Sequence, residues 1–283
     1  MEPQIAQRLI ELNRQFYTDF GKSFSATRGR VQPGVRRVLD SLNGDETILD
    51  LGCGNGELAR TLARNGHRGA YLGLDFSLPL LTDAESMLEG FPAEFREADL
   101  TSDWGVFARS KATTLAPPAR AGEQSKIANE HETAKVPRKG TPPSIARTSS
   151  PKGNDTFDIV LSFATLHHIP SREIRLNILN TVHGLLPEGG RFIHSNWQFL
   201  NSPRLRQRVW KWSEVGLTEA DVDENDYLLD WRSGGIGLRY VHHFSESELA
   251  ALAESSGFSV IETFYSDGKE GNLAIYQVWQ KSL

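Results

Sequence analysis

The sequence predicts a single α/β domain built on a mostly parallel sheet, and three observations carry that prediction. Strand-like apolar runs alternate with stretches of helical period along most of the chain. Gly52, Gly54 and Gly56 cluster where the first apolar run gives way to a helix. The next two strand-like runs end at or beside an acid, Asp75 and then Asp99, at the sheet edge where open α/β folds bind ligands.

Taken in order, amphipathic helices before Asn43 form an N-terminal helical cap over residues 1–46. Strands are predicted over 47–51, 70–74, 93–98, 157–163 and 190–194, each apolar and bounded by turn residues. Helices fall between them over 57–65, 78–88 and 171–186, the last stopped by Pro187 and Gly189-Gly190. Ser245 reads as an N-cap with Glu248 three positions on, so a helix runs from there to Ser256 and stops at Gly257. Runs over 258–265 and 273–279 flank a Gly/Asp/Lys turn and form a C-terminal antiparallel hairpin. Residues 197–237 read as an irregular lid on the acceptor side of the domain, which spans 47–283.

Composition changes sharply at residues 108–154, which hold no aromatic residue and six of the 13 prolines. Such a segment buries too little apolar surface to offset its ordering entropy, so it reads as a disordered low-complexity insertion. Nine Lys/Arg against three acids give it +6, which leaves −11 on the rest of a chain whose net charge is −5. That balance excludes a protein that coats nucleic acid unselectively; any such contact needs a local basic patch. The insertion reads as a spacer first and a basic tether for RNA second. No window approaches the ~18 apolar residues of a membrane span, and Met1-Glu2-Pro3-Gln4 does not open a signal peptide, so a cytoplasmic protein without a membrane partner is expected. A single cysteine, Cys53, excludes an internal disulfide framework and a thiolate-built zinc site, and no metal is expected.

The chemistry starts at Asp50-Leu51-Gly52-Cys53-Gly54-Asn55-Gly56. The glycines let backbone approach a ligand closely, and Asp75, nineteen residues after Gly56, is placed to accept hydrogen bonds from a ribose diol. The G-x-G-x-G spacing differs from the dinucleotide fingerprint, and a carboxylate at Asp50 opposes a pyrophosphate but suits a nucleoside that carries a cationic amino acid. With Ala98-Asp99-Leu100 and Phe157-Asp158-Ile159-Val160, these motifs resemble those of class I S-adenosylmethionine-dependent methyltransferases. The resemblance implies a Rossmann-like, seven-stranded sheet with helices on both faces. It implies S-adenosylmethionine as cofactor, with Gly52, Gly54 and Gly56 cradling the methionine part, Asp50 at its ammonium, Asp75 on the ribose and Asp99 at the adenine amino group.

A narrower set comprises Phe24-Ser25-Ala26-Thr27-Arg28, Leu166-His167-His168, Arg239-Tyr240-Val241-His242 with Glu248-Leu249, and Gly271-Asn272. Together they resemble the eukaryotic tRNA wobble-uridine carboxymethyl methyltransferases. That implies tRNA modification, with tRNA as substrate and a small zinc-binding activator protein as partner. A carboxylate acceptor is already ionised at neutral pH, so the site needs cations and hydrogen-bond donors more than a base. Arg28, Arg239, Tyr240 and His242 supply such groups, and one of His167 and His168, for which His168 is taken, lines the acceptor pocket. Each has a structural alternative: Arg28 as a helix cap or ion pair, Tyr240 as core, His242-His243 as the frame of a turn. Arg204, Arg206, Arg208 and Lys211, interleaved with Trp210 and Trp212, read either as an amphipathic lid helix or as a phosphate-binding and base-stacking run. The competing functions are a small-molecule carboxyl or O-methyltransferase, and a non-catalytic cofactor-binding partner subunit.

Overall fold

The structure, a computed structural model, describes residues 1–26, 30–86, 90–115, 156–233 and 235–282. Helix α1 (Pro3–Ala26) and α2 (Pro33–Asp40) lead into β1 (Ile48–Leu51), α3 (Glu57–Arg64), β2 (Tyr71–Asp75), α4 (Leu78–Ser86), β3 (Ala93–Glu97) and α5 (Gly105–Leu115). Then come β4 (Ile159–Phe163), α6 (Arg172–Leu185), β5 (Arg191–Trp197), α7 (Pro203–Arg206), β6 (Val209–Trp210), β7 (Asp226–Trp231), β8 (Gly237–His242), α8 (Glu246–Ser255), β9 (Phe258–Ser266) and β10 (Ala274–Lys281).

Seven strands form the main sheet in the order β3-β2-β1-β4-β5-β10-β9. The first five are parallel, and β10 runs antiparallel to both β5 and β9. The order doubles back at β1, so the carboxyl ends of β1 and β4 flank the crevice where such sheets bind ligands. Alternation along the strands sorts the core into two layers. Leu49 and Leu51 meet residues of α5, α6 and α8, whereas Ile48 and Tyr71 meet those of α2, α3 and α4. Caps fix the helix starts: Ser171 accepts a hydrogen bond from the Glu173 N–H, and Ser245 from the Glu248 N–H. Among the described residues, no helix is long and apolar enough to cross a membrane.

Two expectations change. Residues 197–237 are not irregular: β6 and β7 pair and, with β8, form a second, antiparallel sheet in the order β6-β7-β8. Buried Leu228 and Leu229 anchor β7, while β8 packs on α1, so this sheet braces the N-terminal helix rather than standing apart from it. The boundary of the low-complexity insertion also moves. Residues 108–115 belong to α5, with Ala108 and Ala112 fully buried four residues apart on the face toward α6. Arg109 Nη2 donates to the Gly184 carbonyl at 2.9 Å, and Lys111 Nζ pairs with Glu94 Oε1 at 2.7 Å. Small side chains fill a close helix–helix contact that an aromatic-free composition does not advertise. The rest of the expected insertion, 116–154, lies outside the described residues.

Candidate active site

A cavity of about 270 Å3 opens at the carboxyl ends of β1, β2 and β4. Its floor is the turn after β1. Gly52 and Gly54 both take left-handed backbone, with φ of 77° and 55°. A Cβ on Gly52 would lie 2.2 Å from Thr165 Oγ1, which itself donates to the Leu51 carbonyl; at Gly54 a Cβ would meet nothing within 4 Å and would project into the cavity. The floor is therefore backbone that a ligand can approach directly. Gly56, expected to join this cradle, does not line the cavity. It starts α3 at φ 75°, and a Cβ there would come within 2.8 Å of Ala84 and 3.2 Å of Phe95. Its role is to let α3 pack against α4 and β3.

Three carboxylates, at or just beyond the ends of β1, β2 and β3, line the same cavity. Asp50 is buried and receives the Tyr71 hydroxyl at 2.5 Å on Oδ2. Burial raises its pKa to about 7; Tyr71 opposes this and Asp75 adds to it. Asp75 accepts the Gly54 N–H on Oδ2 and the Ser77 N–H on Oδ1, both at 2.9 Å, so it pins the glycine turn and the entry to α4 while facing the cavity. Burial raises its pKa too. Asp99 is the most heavily used: Oδ1 accepts the Thr101 N–H and hydroxyl at 2.8 and 2.7 Å, and Oδ2 pairs with Arg14 Nη2 at 2.7 Å. A fourth acid on the lining, Glu57, is taken up by Arg60 and Arg64 of its own helix. Cys53 also lines the cavity, with its thiol pushed up by burial and then by Asp75 and Asp50, and so held in the neutral form.

The opposite wall comes from α1 and from the turn after β4. Ile10, Asn13, Arg14 and Tyr17 line it from one face of α1, and Thr165, His168 and Ile169 from the turn; Arg30 is a further cation on the lining. His168 Nδ1 donates to the Tyr240 carbonyl at 3.2 Å, and its Nε2 shares a hydrogen bond with the Tyr17 hydroxyl at 2.9 Å. Asn13 locks this wall to β8: its amide donates to the His168 and Tyr240 carbonyls and accepts the Tyr240 N–H. Neighbouring His167 is buried, and its Nδ1 accepts the Trp197 N–H at 3.3 Å. The i, i+3, i+4, i+7 spacing of Ile10, Asn13, Arg14 and Tyr17 is the trace that the α1 side of this wall leaves in the sequence.

Of the residues expected on the acceptor side, the structure places only His168 in the cavity lining. Arg28 lies outside the described residues. Arg239 is buried one layer behind Tyr17, boxed by the rings of Phe16, Trp197 and Trp231 at 5.2, 5.1 and 5.8 Å. Burial lowers its pKa, opposed by the charge of and a hydrogen bond with Tyr17, so the Tyr17 oxygen links the buried guanidinium to His168. Tyr240 and His242 are corrected to structural roles. Asp226 Oδ1 takes the Tyr240 hydroxyl and His242 Nδ1, both at 2.6 Å, and His242 Nε2 lies 2.8 Å from Glu248. Both side chains are buried, bind β7, β8 and α8 together, and do not line the cavity.

A family model described as a methyltransferase domain matches residues 24–263. The protein named "Putative methyltransferase" from Encephalitozoon cuniculi (strain GB-M1) is 26% identical over 249 residues, covering 88% of this chain and 87% of that one. An S-adenosylmethionine-dependent methyltransferase from Methanosarcina mazei shares the fold with a TM-score of 0.56 at 19% identity, covering 90% of this chain and 99% of that one. A second, from Listeria monocytogenes, gives 0.53 at 18% identity, over 88% and 99% of the two chains.

Proposed function

The chain belongs to the methyltransferase-domain family and is an S-adenosylmethionine-dependent enzyme, and on that premise we propose that it esterifies the carboxymethyl group of a modified wobble uridine in tRNA. The cofactor fits the residues present. Asp50 suits its ammonium, Asp75 its ribose hydroxyls, and the open backbone at Gly52 and Gly54 its methionine chain. Asp99 suits the adenine amino group if it shares or exchanges its bond to Arg14. When bound, S-adenosylmethionine supplies an electrophilic methyl group.

The observation that carries the acceptor reading is the fixed Tyr17 hydroxyl on the cavity wall, with His168 on one side and the Arg239 guanidinium behind it. This wall carries two arginines, Arg14 and Arg30, and no carboxylate of its own among the described residues, with Arg14 paired to Asp99. A carboxylate needs no deprotonation, so the residues act by holding it and excluding water. Arg30 on the lining is the direct cation, and Tyr17 positions the oxygen with Arg239 behind it. Arg28, two residues before Arg30, is assigned to the same carboxylate on its sequence motif. The tRNA acceptor and the small zinc-binding activator protein as partner rest on the motif resemblance, and a cytoplasmic location on the apolar patterning and opening residues of the sequence.

Mass spectrometry of nucleosides after incubating carboxymethyl-bearing tRNA with the cofactor, with and without such an activator, is the test. The expected product is the methyl ester, with turnover reduced at least tenfold in Tyr17→Phe. Methylation of a small carboxylic acid with that nucleoside left unesterified would overturn the tRNA reading and leave the carboxyl chemistry standing.

A further inference from the structure

We propose that the surface around β6 is a docking tract for single-stranded RNA that leads into the acceptor side of the cavity. The inference rests on the tRNA reading above and names the part of the chain that holds nucleotides flanking the modified base.

Residues 204–211 carry Arg204, Arg206, Arg208 and Lys211 with no acid between them, and Arg232 joins them from the end of β7. Arg204, Arg206, Lys211 and Arg232 are exposed and Arg208 is half-buried. Arg204, Arg206, Arg208 and Lys211 make no ion pair among the described residues, in a chain that carries −11 outside residues 108–154. Two large apolar side chains stand among these cations, Val209 at 38% and Trp210 at 37% exposure. Trp210 is not loose: its indole N–H donates to Asp230 Oδ2 at 3.0 Å, and Arg232 Nε donates to the same oxygen at 2.7 Å. Asp230 is thus buried and engaged, and it holds an aromatic ring by its edge with a guanidinium alongside. Glu214, Glu219, Asp221, Asp223 and Glu224 all follow in the β6–β7 connection, so charge changes sign along the sheet.

Register ties this patch to the cavity. Val209 pairs with Leu229, and Leu229 with Arg239, so β6 lies two strand spacings, about 10 Å, from the backbone of Arg239. The Arg208 charge is felt at Arg239, which in turn bonds Tyr17 on the cavity wall. Arg208 thus stands between the surface cations around β6 and Arg239, which lies one layer behind the cavity wall. A polyanion suits the charges, and an exposed indole among arginines suits unstacked bases, which a duplex does not offer.

The test is fluorescence anisotropy of a labelled oligouridylate with the full chain over a range of salt concentrations, with and without the activator protein. Wild type is expected to bind with a steep salt dependence. Arg204→Glu combined with Arg206→Glu should weaken binding at least tenfold and flatten the log–log salt slope by about 0.7 for each phosphate no longer neutralised. Trp210→Ala should cost about fivefold or more, with Trp210→Phe retaining most of the affinity. Titration with S-adenosylhomocysteine reports that each variant is folded. Variants that keep this titration and bind the oligonucleotide like wild type overturn the tract, as does a wild type that binds anionic vesicles in preference to RNA, or binds neither. The two readings fail separately: tRNA esterified equally well by these variants removes the tract alone, and RNA held by the tract without esterification removes the acceptor reading alone.

Discussion

Arg14 Nη2 lies 2.7 Å from Asp99 Oδ2, so a side chain of the N-terminal helix is tied to the carboxylate at the end of the third strand, across the cavity that both line. Both partners are part-exposed, and a pair of this kind contributes about 0–1 kcal/mol, small enough to exchange for a ligand hydrogen bond. Arg14→Gln should therefore speed S-adenosylhomocysteine association in stopped-flow while changing its affinity less than about fivefold. A larger loss of affinity would show that the bridge holds α1 in its binding position instead of competing with the ligand.

Asp50 makes cofactor binding pH-dependent. With burial raising its pKa to about 7, a cationic amino acid group must bind the ionised form and so displaces a proton at lower pH. Affinity for S-adenosylhomocysteine should rise roughly tenfold per pH unit below about 7 and level off above it. Calorimetry in buffers of different ionisation enthalpy should show proton release at pH 6 and little at pH 8. A flat profile from pH 5.5 to 8 would remove Asp50 from the ammonium site.

The same residue should trade stability for binding. Its folded pKa exceeds the ordinary value of 3.8, so the native state holds a proton that the unfolded chain has lost. The stability this gives is complete below about pH 4 and is lost as pH rises through about 7. Asp50→Asn keeps an acceptor for the Tyr71 hydroxyl and removes the buried charge. The variant should match wild-type melting near pH 4 and exceed it by several degrees at pH 8, while losing at least tenfold in cofactor affinity there. His194 works in the opposite sense: buried and lowered to about 3, it favours the native state above pH 6.5 and destabilises it progressively toward pH 3. Removing Asp50 should leave the acid limb of His194 opposed among these buried acids by Asp75, whose pKa burial also raises.

How much of this was legible in the sequence depends on chain distance. The floor of the site was legible because Asp50, Gly52, Gly54 and Asp75 lie within two strands and one turn, so spacing alone brings them together. Gly56 looked like one more cradle residue, and only the approach of Ala84 and Phe95 separates a packing glycine from a binding one. Tyr240 and His242 read as functional because they sit in a motif of the resemblance and offer hydrogen-bond donors that suit a carboxylate acceptor. The partner they share, Asp226, becomes visible only with the β7–β8 register. The hairpin itself had a signal in the Gly-Gly pair at 234–235 between two apolar runs, although its meaning depended on recognising both runs as strands. Tyr17 had no such signal, since its helical spacing is equally that of a core face.

The boundary of the low-complexity segment offers a comparison in which one design should fold and the other should not. Loop-closure entropy changes slowly with length, about 0.6 kcal/mol per halving, so replacing residues 116–155 with a Gly/Ser linker should leave the melting temperature within a few degrees. Extending the replacement back to residue 108 removes the last eight residues of α5. With them go two fully buried alanines, the Lys111–Glu94 ion pair and the Arg109 bond to the Gly184 carbonyl. Trp104, just before that helix, keeps its indole bond to the Leu100 carbonyl but is left with fewer packing partners in the same core layer. A loss of roughly 2–4 kcal/mol follows from the buried methyl groups and the cavity they leave, worth about 5 °C or more in a chain of this size. Differential scanning calorimetry of both replacements beside wild type decides it. Equal melting of the two would mean that α5 contributes nothing to the core, and unfolding of the shorter replacement would mean that 116–155 packs on the domain after all.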